Sequence, residues 1–196
     1  MTVRPTARNS NGSTIRAMGR TYDVIDARWR KFIDAQHCFF VATAPLDGGH
    51  VNLSPKGMAG TFAVIDELTV AYLDMNGSGI ETVAHLQENG RVTIMFCAFD
   101  GPPKILRLYG TGRTVRPDDD GFAEVIAHFP PRDWVRSVIV VDVERIQDAC
   151  GFGVPVMDYR EERDQLVRWA EKQGDEGLVA YRADRNAVSI DGLPGW

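Results

Sequence analysis

Short extended segments that follow one another through the middle of the chain constrain its fold more than any other feature. They mix β-branched and aromatic residues with polar ones, and they predict strands at 38–44, 50–55, 61–65, 68–73, 91–99, 105–115 and 137–146. Turn residues such as Asp47, Gly48 and Gly49 separate neighbouring segments. Short links favour antiparallel pairing, and closure of the sheet removes exposed edges. The sequence therefore predicts a small antiparallel β-barrel.

Helices are predicted around these strands. Their limits are 22–35, 78–89, 118–128 and 160–172. In the first helix, Trp29 and Ile33 recur at helical spacing among charged residues. In the second, Ser78 and Glu81 have the spacing of a capping box, and Gly90 follows as a helix end. The helices are therefore expected to pack around the barrel rather than to form a separate domain.

Length and composition predict a folded protein with one domain. The chain has 196 residues, of which 44% are hydrophobic and 25% charged, as in a typical globular unit. Residues 1–17 contain arginines, no acidic residue and no apolar core of a signal peptide, so we expect a disordered extension before a single domain at 18–196. The net charge of -5 argues against nucleic-acid partners. No membrane span is predicted, and a cytoplasmic location is expected.

Cysteine and histidine spacing gives no sign of a metal site. Cys38, Cys97 and Cys150 are far apart in sequence and are expected to be reduced thiols. The four histidines are equally scattered. No nucleophile elbow, nucleotide-binding glycine loop or catalytic triad is recognisable. We therefore predict no metal, and no catalytic residue is assigned.

Four motifs occur in a fixed order between residues 54 and 91. They are Ser54-Pro55-Lys56-Gly57, Tyr72-Leu73-Asp74, Gly77-Ser78-Gly79-Ile80-Glu81-Thr82 and Asn89-Gly90-Arg91. This order resembles the pyridoxamine 5'-phosphate oxidase-like family of FMN-binding proteins, over roughly residues 39–146. The resemblance implies a mainly β (α+β) fold, an antiparallel split β-barrel with peripheral helices. It also implies a homodimer that holds FMN between its subunits.

The resemblance further implies which residues contact the cofactor. They are Asn52, Leu53, Ser54 and Lys56 on the strand along the flavin, and Tyr72, Leu73 and Asp74 at the end of the next strand. Read without the resemblance, the motif around Lys56 favours a surface turn with a solvated lysine.

The N-terminus of the helix predicted at 78–89 is a candidate phosphate site. Its free N–H groups and positive dipole end attract anions, and the hydroxyls of Ser78 and Thr82 could add donors. Family members usually carry an Arg-Lys pair after this serine, whereas this chain has Glu81 nearby. That carboxylate could itself occupy the helix N-terminus.

Cations for a phosphate would then come from other strands. Lys56, Arg107 and Arg113 are the candidates, because an ammonium or a guanidinium neutralises a phosphate. Alternation along 105–115 places both arginines on one face of a strand. That face is either a wall of the cofactor groove or the solvent side of an antiparallel strand.

Two classes of function follow from these patterns. The first is an FMN-dependent oxidoreductase that moves hydride or electrons from a reduced nicotinamide or similar small-molecule donor to a small organic acceptor. Pyridoxamine-phosphate oxidation itself is disfavoured because the Arg-Lys pair is absent. The alternatives are a non-catalytic flavin- or haem-binding module and a deazaflavin-dependent reductase.

Overall fold

The computed structural model describes residues 19–196, and the predicted extension at 1–17 lies outside them. The strands are β1 (Thr21–Tyr22), β2 (Cys38–Thr43), β3 (Asn52–Gly57), β4 (Phe62–Val64), β5 (Thr69–Met75), β6 (Arg91–Cys97), β7 (Ile105–Val115) and β8 (Val135–Ala149). The helices are α1 (Ala27–Asp34), α2 (Glu81–Asn89), α3 (Phe122–Ile126) and α4 (Gln165–Arg185).

All the described strands belong to one antiparallel sheet. Its order is β3-β2-β6-β7-β8-β5-β4, and β1 pairs with β8. The sheet curls into a half-barrel, which confirms the predicted mainly β split-barrel fold. A bulge follows Tyr109 where β7 pairs with β8. There a Cβ on Gly110 would lie 2.1 Å from the carbonyl oxygen of Asp142, so only glycine permits this approach.

The inward side chains of the curled sheet form the main core. The buried rings of Phe39 and Phe96 pack with the partly buried ring of Phe62, at centroid separations of 5.0 to 5.7 Å. Helix α1 covers this core with Trp29 and Ile33, both buried. Burial of apolar area at about 25 cal/mol per Å² makes this contact the main stabilising force on α1.

Helix α1 is shorter than the predicted helix at 22–35. Asp26 caps it, because its carboxylate accepts a hydrogen bond from the Trp29 N–H at 3.0 Å. Tyr22 lies in β1 instead, and its hydroxyl donates to the Asp148 carboxylate at 3.1 Å. Thr21 and Tyr22 therefore pair with β8 and do not extend the helix.

Helix α2 ends where predicted but begins later. Gly90 ends it with a φ of +69° and donates its N–H to the Leu86 carbonyl at 3.2 Å. The predicted capping box of Ser78 and Glu81 is wrong, since Ile80 occupies the N-cap and no side chain caps the helix. The buried face of α2 packs on β2, β6 and β7.

The last two helices also differ from their predicted limits. Helix α3 is short, and its Val125 joins Leu73 and Phe129 in a second buried cluster against β5 and β8. Helix α4 continues past Gly174, where the backbone turns with a φ of +63°, and runs to Arg185. In the described part of the chain, no helix has the length and apolar character needed to cross a membrane.

Candidate functional site

One face of β3 carries a row of polar side chains. Asn52, Ser54 and Lys56 share the side of the sheet that Phe39 occupies on the neighbouring strand β2, which is the side of the main core. Leu53 points the other way, and it is 64% exposed. The structure therefore places three of the predicted cofactor residues on one face and the fourth on the opposite face.

Hydrogen bonds join this polar row to β2 and α2. The Ser54 hydroxyl donates to the Asn52 side-chain oxygen at 3.0 Å. The Asn52 amide donates to the Thr82 hydroxyl at 3.1 Å and to the Thr43 hydroxyl at 3.3 Å. Nδ1 of the buried His85 lies 3.0 Å from the same Thr43 oxygen. Asn52 is thus held in one orientation by partners on both neighbouring elements.

The carboxylate of Asp74 is fully buried between two cations. Nε of Arg136 donates to it at 2.8 Å, Nζ of Lys56 at 3.3 Å, and the Ser137 hydroxyl also at 3.3 Å. Burial raises the pKa of Asp74, but the charges of Arg136 and Lys56 outweigh burial and hold that pKa below its ordinary value. We call these four residues the Asp74 cluster.

Arg136 is central to the Asp74 cluster and is absent from the sequence prediction. Its guanidinium donates to the carbonyls of Gly77 at 3.2 Å and Gly79 at 2.9 Å, and to the side chain of Asn186 at 2.8 Å. These bonds fix the loop that enters α2. The available signal was an arginine in an apolar strand, since a buried charge requires a buried partner such as Asp74.

The two cations of the Asp74 cluster differ in exposure. The Lys56 side chain is 25% exposed, whereas that of Arg136 is 4% exposed. The Lys56 ammonium also lies 5.8 Å from the centre of the Tyr72 ring, within range of a cation–π attraction. Burial raises the pKa of Tyr72 far above its ordinary value, so its phenol is neutral. Lys56 is therefore the cation of this cluster that solvent or a ligand can reach.

The C-terminal segment contacts the residues at the start of α2. The Asn186 amide donates to the Ser78 carbonyl at 3.3 Å, and the Ile190 N–H donates to the Glu81 carboxylate at 3.4 Å. The Ser78 side chain is exposed, whereas Thr82 is buried against β3. Of the two hydroxyls predicted to meet a phosphate, Ser78 alone faces solvent.

The predicted cations Arg107 and Arg113 lie away from the Asp74 cluster within one chain. Both point to the outer face of β7, because the intervening Leu108 and Gly112 are buried on its inner face. The two arginines are six positions apart along the strand, which corresponds to about 20 Å. A single phosphate therefore cannot contact both side chains of one chain.

A cavity of about 330 Å³ adjoins the loop between β5 and α2. Asn76 and Trp134 line one side, and Leu166 and Ala170 of α4 line the other. The buried Asn76 donates to the Trp134 carbonyl at 2.7 Å, where Trp134 has a left-handed φ of +60° that is rare for a bulky residue. The volume lies at the lower end of the range for ligand pockets. A flavin would need space beyond this cavity.

Among residues 19–196, no group of three or more histidine, cysteine or acidic side chains is placed to hold a metal ion. The buried His85 already contacts Thr43, and the exposed His50 is paired with Asp191 at 2.7 Å.

Comparison with known proteins assigns the chain to a family. The family model described as pyridoxamine 5'-phosphate oxidase matches residues 25–150. A relative from Aspergillus flavus, the pyridoxamine 5'-phosphate oxidase family protein ustO, is 39% identical over 190 residues. That match covers 89% of this chain and 76% of the relative.

Solved structures share the fold at lower identity. A HupZ variant of Group A Streptococcus is 22% identical, with a TM-score of 0.50, and the match covers 63% of this chain and 98% of that one. A Lactobacillus delbrueckii protein whose assignment as a pyridoxamine 5'-phosphate oxidase is provisional is 17% identical, with a TM-score of 0.51. That match covers 66% of this chain and 98% of the Lactobacillus chain. At these identities the likeness concerns the fold alone.

The curled antiparallel sheet is a split barrel, and its edge strand β3 carries a polar row that includes the cation Lys56. The chain belongs to the pyridoxamine 5'-phosphate oxidase family.

Proposed function

We propose that this protein is an FMN-binding oxidoreductase that transfers hydride or electrons between a small-molecule donor and a small organic acceptor. The observation that carries the proposal is the row of Asn52, Ser54 and Lys56 beside the Asp74 cluster, in a chain of a family whose members commonly hold FMN. Hydroxyl and amide groups suit a ribityl chain, and an ammonium suits a phosphate.

Lys56 supplies the charge for the phosphate. Asp74 has two cationic partners, so it remains neutralised by the buried Arg136 if the Lys56 ammonium turns toward a ligand. The ammonium then exchanges one anionic partner for another, which costs less than desolvating a free lysine. This arrangement offers a substitute for part of the missing Arg-Lys pair after Ser78.

A second copy of the chain completes the groove. Leu53 on the outer face of β3 is 64% exposed and Val51, just before the strand, is 74% exposed, so solvent contacts two neighbouring apolar side chains. In a homodimer, Arg107 and Arg113 on the outer face of β7 can face the partner's flavin. Each arginine would then contribute to the flavin site of the other subunit, although it lies away from the Asp74 cluster of its own chain.

The bound flavin would supply the hydride chemistry, and the protein orients it and limits solvent access. Asn52 offers a side chain whose orientation is fixed by Thr43 and Thr82. The neutral phenol of Tyr72 and the fixed carboxylate of Asp74 keep the charge near the site constant across neutral pH. No side chain of this row is assigned as acid or base.

The absorption spectrum after loading tests the proposal. Protein incubated with excess FMN and then desalted is expected to retain the bands of oxidised flavin, and a reduced nicotinamide or a related donor should bleach them. A protein that stays colourless would contradict flavin binding. A Soret band in the purified protein would favour a haem-binding module, and retention of a deazaflavin but not of FMN would favour a deazaflavin-dependent reductase.

Lys56→Ala locates the phosphate. Loss of one charge-assisted contact is expected to weaken FMN binding about tenfold or more, measured by quenching of flavin fluorescence at low salt. The control is Lys31→Ala, which removes an exposed lysine of α1. Equal dissociation constants for the two variants would remove Lys56 from the site while leaving flavin binding itself intact.

A further inference from the structure

Two cysteines that are distant in sequence lie opposite each other on neighbouring strands. Strands β2 and β6 are antiparallel, and the last pair of their ladder is Phe39 with Phe96. The next position along the same register places Cys38 opposite Cys97. Directly opposed residues in antiparallel strands point to the same face of the sheet. Both thiols are free and share the outer face of the half-barrel.

The spacing of opposed residues suits a disulfide. Opposed Cα atoms in antiparallel strands lie about 4.5 to 5.5 Å apart, within the range of about 4.4 to 6.8 Å that disulfides span. The thiols also affect each other, since burial first and then the neighbouring Cys97 raise the pKa of Cys38. Cys150 follows β8, two strands away from β6, and is too distant to compete for Cys97.

We propose that Cys38 and Cys97 form a cross-strand dithiol that a hydroperoxide converts into a disulfide. Cys38 is half-buried and reacts first, whereas Cys97 is 6% exposed and acts as the resolving thiol. The Cys38 sulfur takes one oxygen from the peroxide and becomes a sulfenic acid, releasing water or an alcohol. The Cys97 sulfur then attacks it, forming the S–S bond and expelling a second water. The dithiol loses two electrons and the peroxide gains them.

The expected consequence is a covalent link between β2 and β6 beside the outer face of the sheet. Because burial raises the pKa of both thiols, little thiolate exists at neutral pH, and oxidation should accelerate as pH rises. The outer face also carries Leu53 on β3 and Arg107 on β7, so the link would stiffen a surface proposed to meet a second copy.

Peptide mapping tests the proposal directly, because trypsin places each cysteine in its own peptide. These peptides span 32–56, 92–104 and 146–160. Folded, reduced protein treated with hydrogen peroxide is expected to lose about 2 Da per chain. Titratable thiols should fall from three to one, and peptides 32–56 and 92–104 should be joined by a bond that reductant cleaves.

Two variants separate the proposal from general oxidation. Cys150→Ser should still lose two thiols to peroxide, whereas Cys97→Ser should lose the crosslink and accumulate oxygen on Cys38. A wild-type protein that keeps three thiols, or that gains oxygen on Cys38 without a link to Cys97, would overturn the assignment. A crosslink through peptide 146–160 would overturn it as well. The wild-type map decides the question even if Cys97→Ser fails to fold.

Discussion

The two faces of strand β3 differ in almost every physical respect. On the inner face, Asn52 and Lys56 are half-buried and bonded to partners on β5 and α2. On the outer face, the apolar side chain of Leu53 is largely exposed, and so is that of Val51 just before the strand. One strand therefore presents a prepared polar row to one side and an uncovered apolar strip to the other. Such a division is expected of a strand that lies between a ligand site and an interface.

This difference between the two faces fits the proposal that a single chain contains half of a site. On the inner face, Asp74 and its neighbours fix the polar groups before a ligand binds. Binding would therefore cost these side chains little conformational entropy. The outer face has no cover within residues 19–196, which suggests that a second copy supplies it. The predictions below break one face at a time.

Arg136→Leu breaks the inner face and carries the largest expected effect. It leaves the Asp74 carboxylate buried with Lys56 as its remaining cation. The carbonyls of Gly77 and Gly79 and the side-chain oxygen of Asn186 also lose the donor that Arg136 supplies. We expect the free energy of unfolding to fall by about 3–5 kcal/mol, measured by denaturant titration. Arg168→Leu, which breaks an exposed ion pair with Asp164, is the control and should change little. Equal losses in both variants would contradict a structural role for the Asp74 cluster.

Leu53→Asp breaks the outer face and should leave the inner face intact. A charge in the centre of an apolar interface is expected to weaken self-association by about 2 kcal/mol or more, measured by sedimentation equilibrium. Val179→Asp on α4 places the same charge on another exposed apolar position and should leave association unchanged. Wild-type protein that remains a single chain at every concentration would show that the outer face of β3 is not a dimer interface.

Lowering the pH should decrease the free energy of unfolding, because the buried His85 next to the polar row becomes protonated. Burial lowers the pKa of His85, so the unfolded chain binds its proton at a higher pH than the folded one. Stability is therefore fully present above about pH 6.5 and falls as pH drops toward the native pKa, by at most about 1.4 kcal/mol per pH unit. Unfolding measured from pH 7.5 to 5 should show this loss in wild type and a smaller one in His85→Gln. Parallel profiles would argue against a buried neutral imidazole.

Lys56→Met removes the more exposed cation of the Asp74 cluster and has the smallest expected effect on stability. Arg136 continues to neutralise Asp74, and the Lys56 side chain is partly solvated. The free energy of unfolding should fall by about 1 kcal/mol or less. A loss as large as that of Arg136→Leu would mean that Lys56 is a structural cation, not one available to a ligand.

Much of the sheet could be predicted because alternation along a strand is a local property. The limits of β7 match the predicted segment 105–115, and the end of α2 at Gly90 was also marked by its own residues. The start of α2 could not be predicted in this way, because residues distant in sequence determine it. Arg136 and Asn186 hold the carbonyls of the preceding loop, so Ser78 faces solvent and does not cap the helix. Neither Arg136 nor Asn186 can be identified as a partner from the sequence around Ser78.

The candidate site was predictable only where its residues share a strand. Asn52, Ser54 and Lys56 alternate along β3, and the family resemblance located them together. Arg136 required knowledge that β8 lies beside β5, which is a long-range pairing. The second half of α4 was missed for another reason: Gly174 ends the first helical segment at a kink, as its sequence predicts, and a second segment follows it to Arg185.

Sedimentation velocity of the FMN-loaded protein, followed at a wavelength that only the flavin absorbs, tests the claim that two chains hold the flavin between them. The flavin is expected to sediment with a species of two chains, twice the 21.8 kDa of one. The claim would be contradicted if the flavin remained at the meniscus as a free small molecule, or if it sedimented with a single chain.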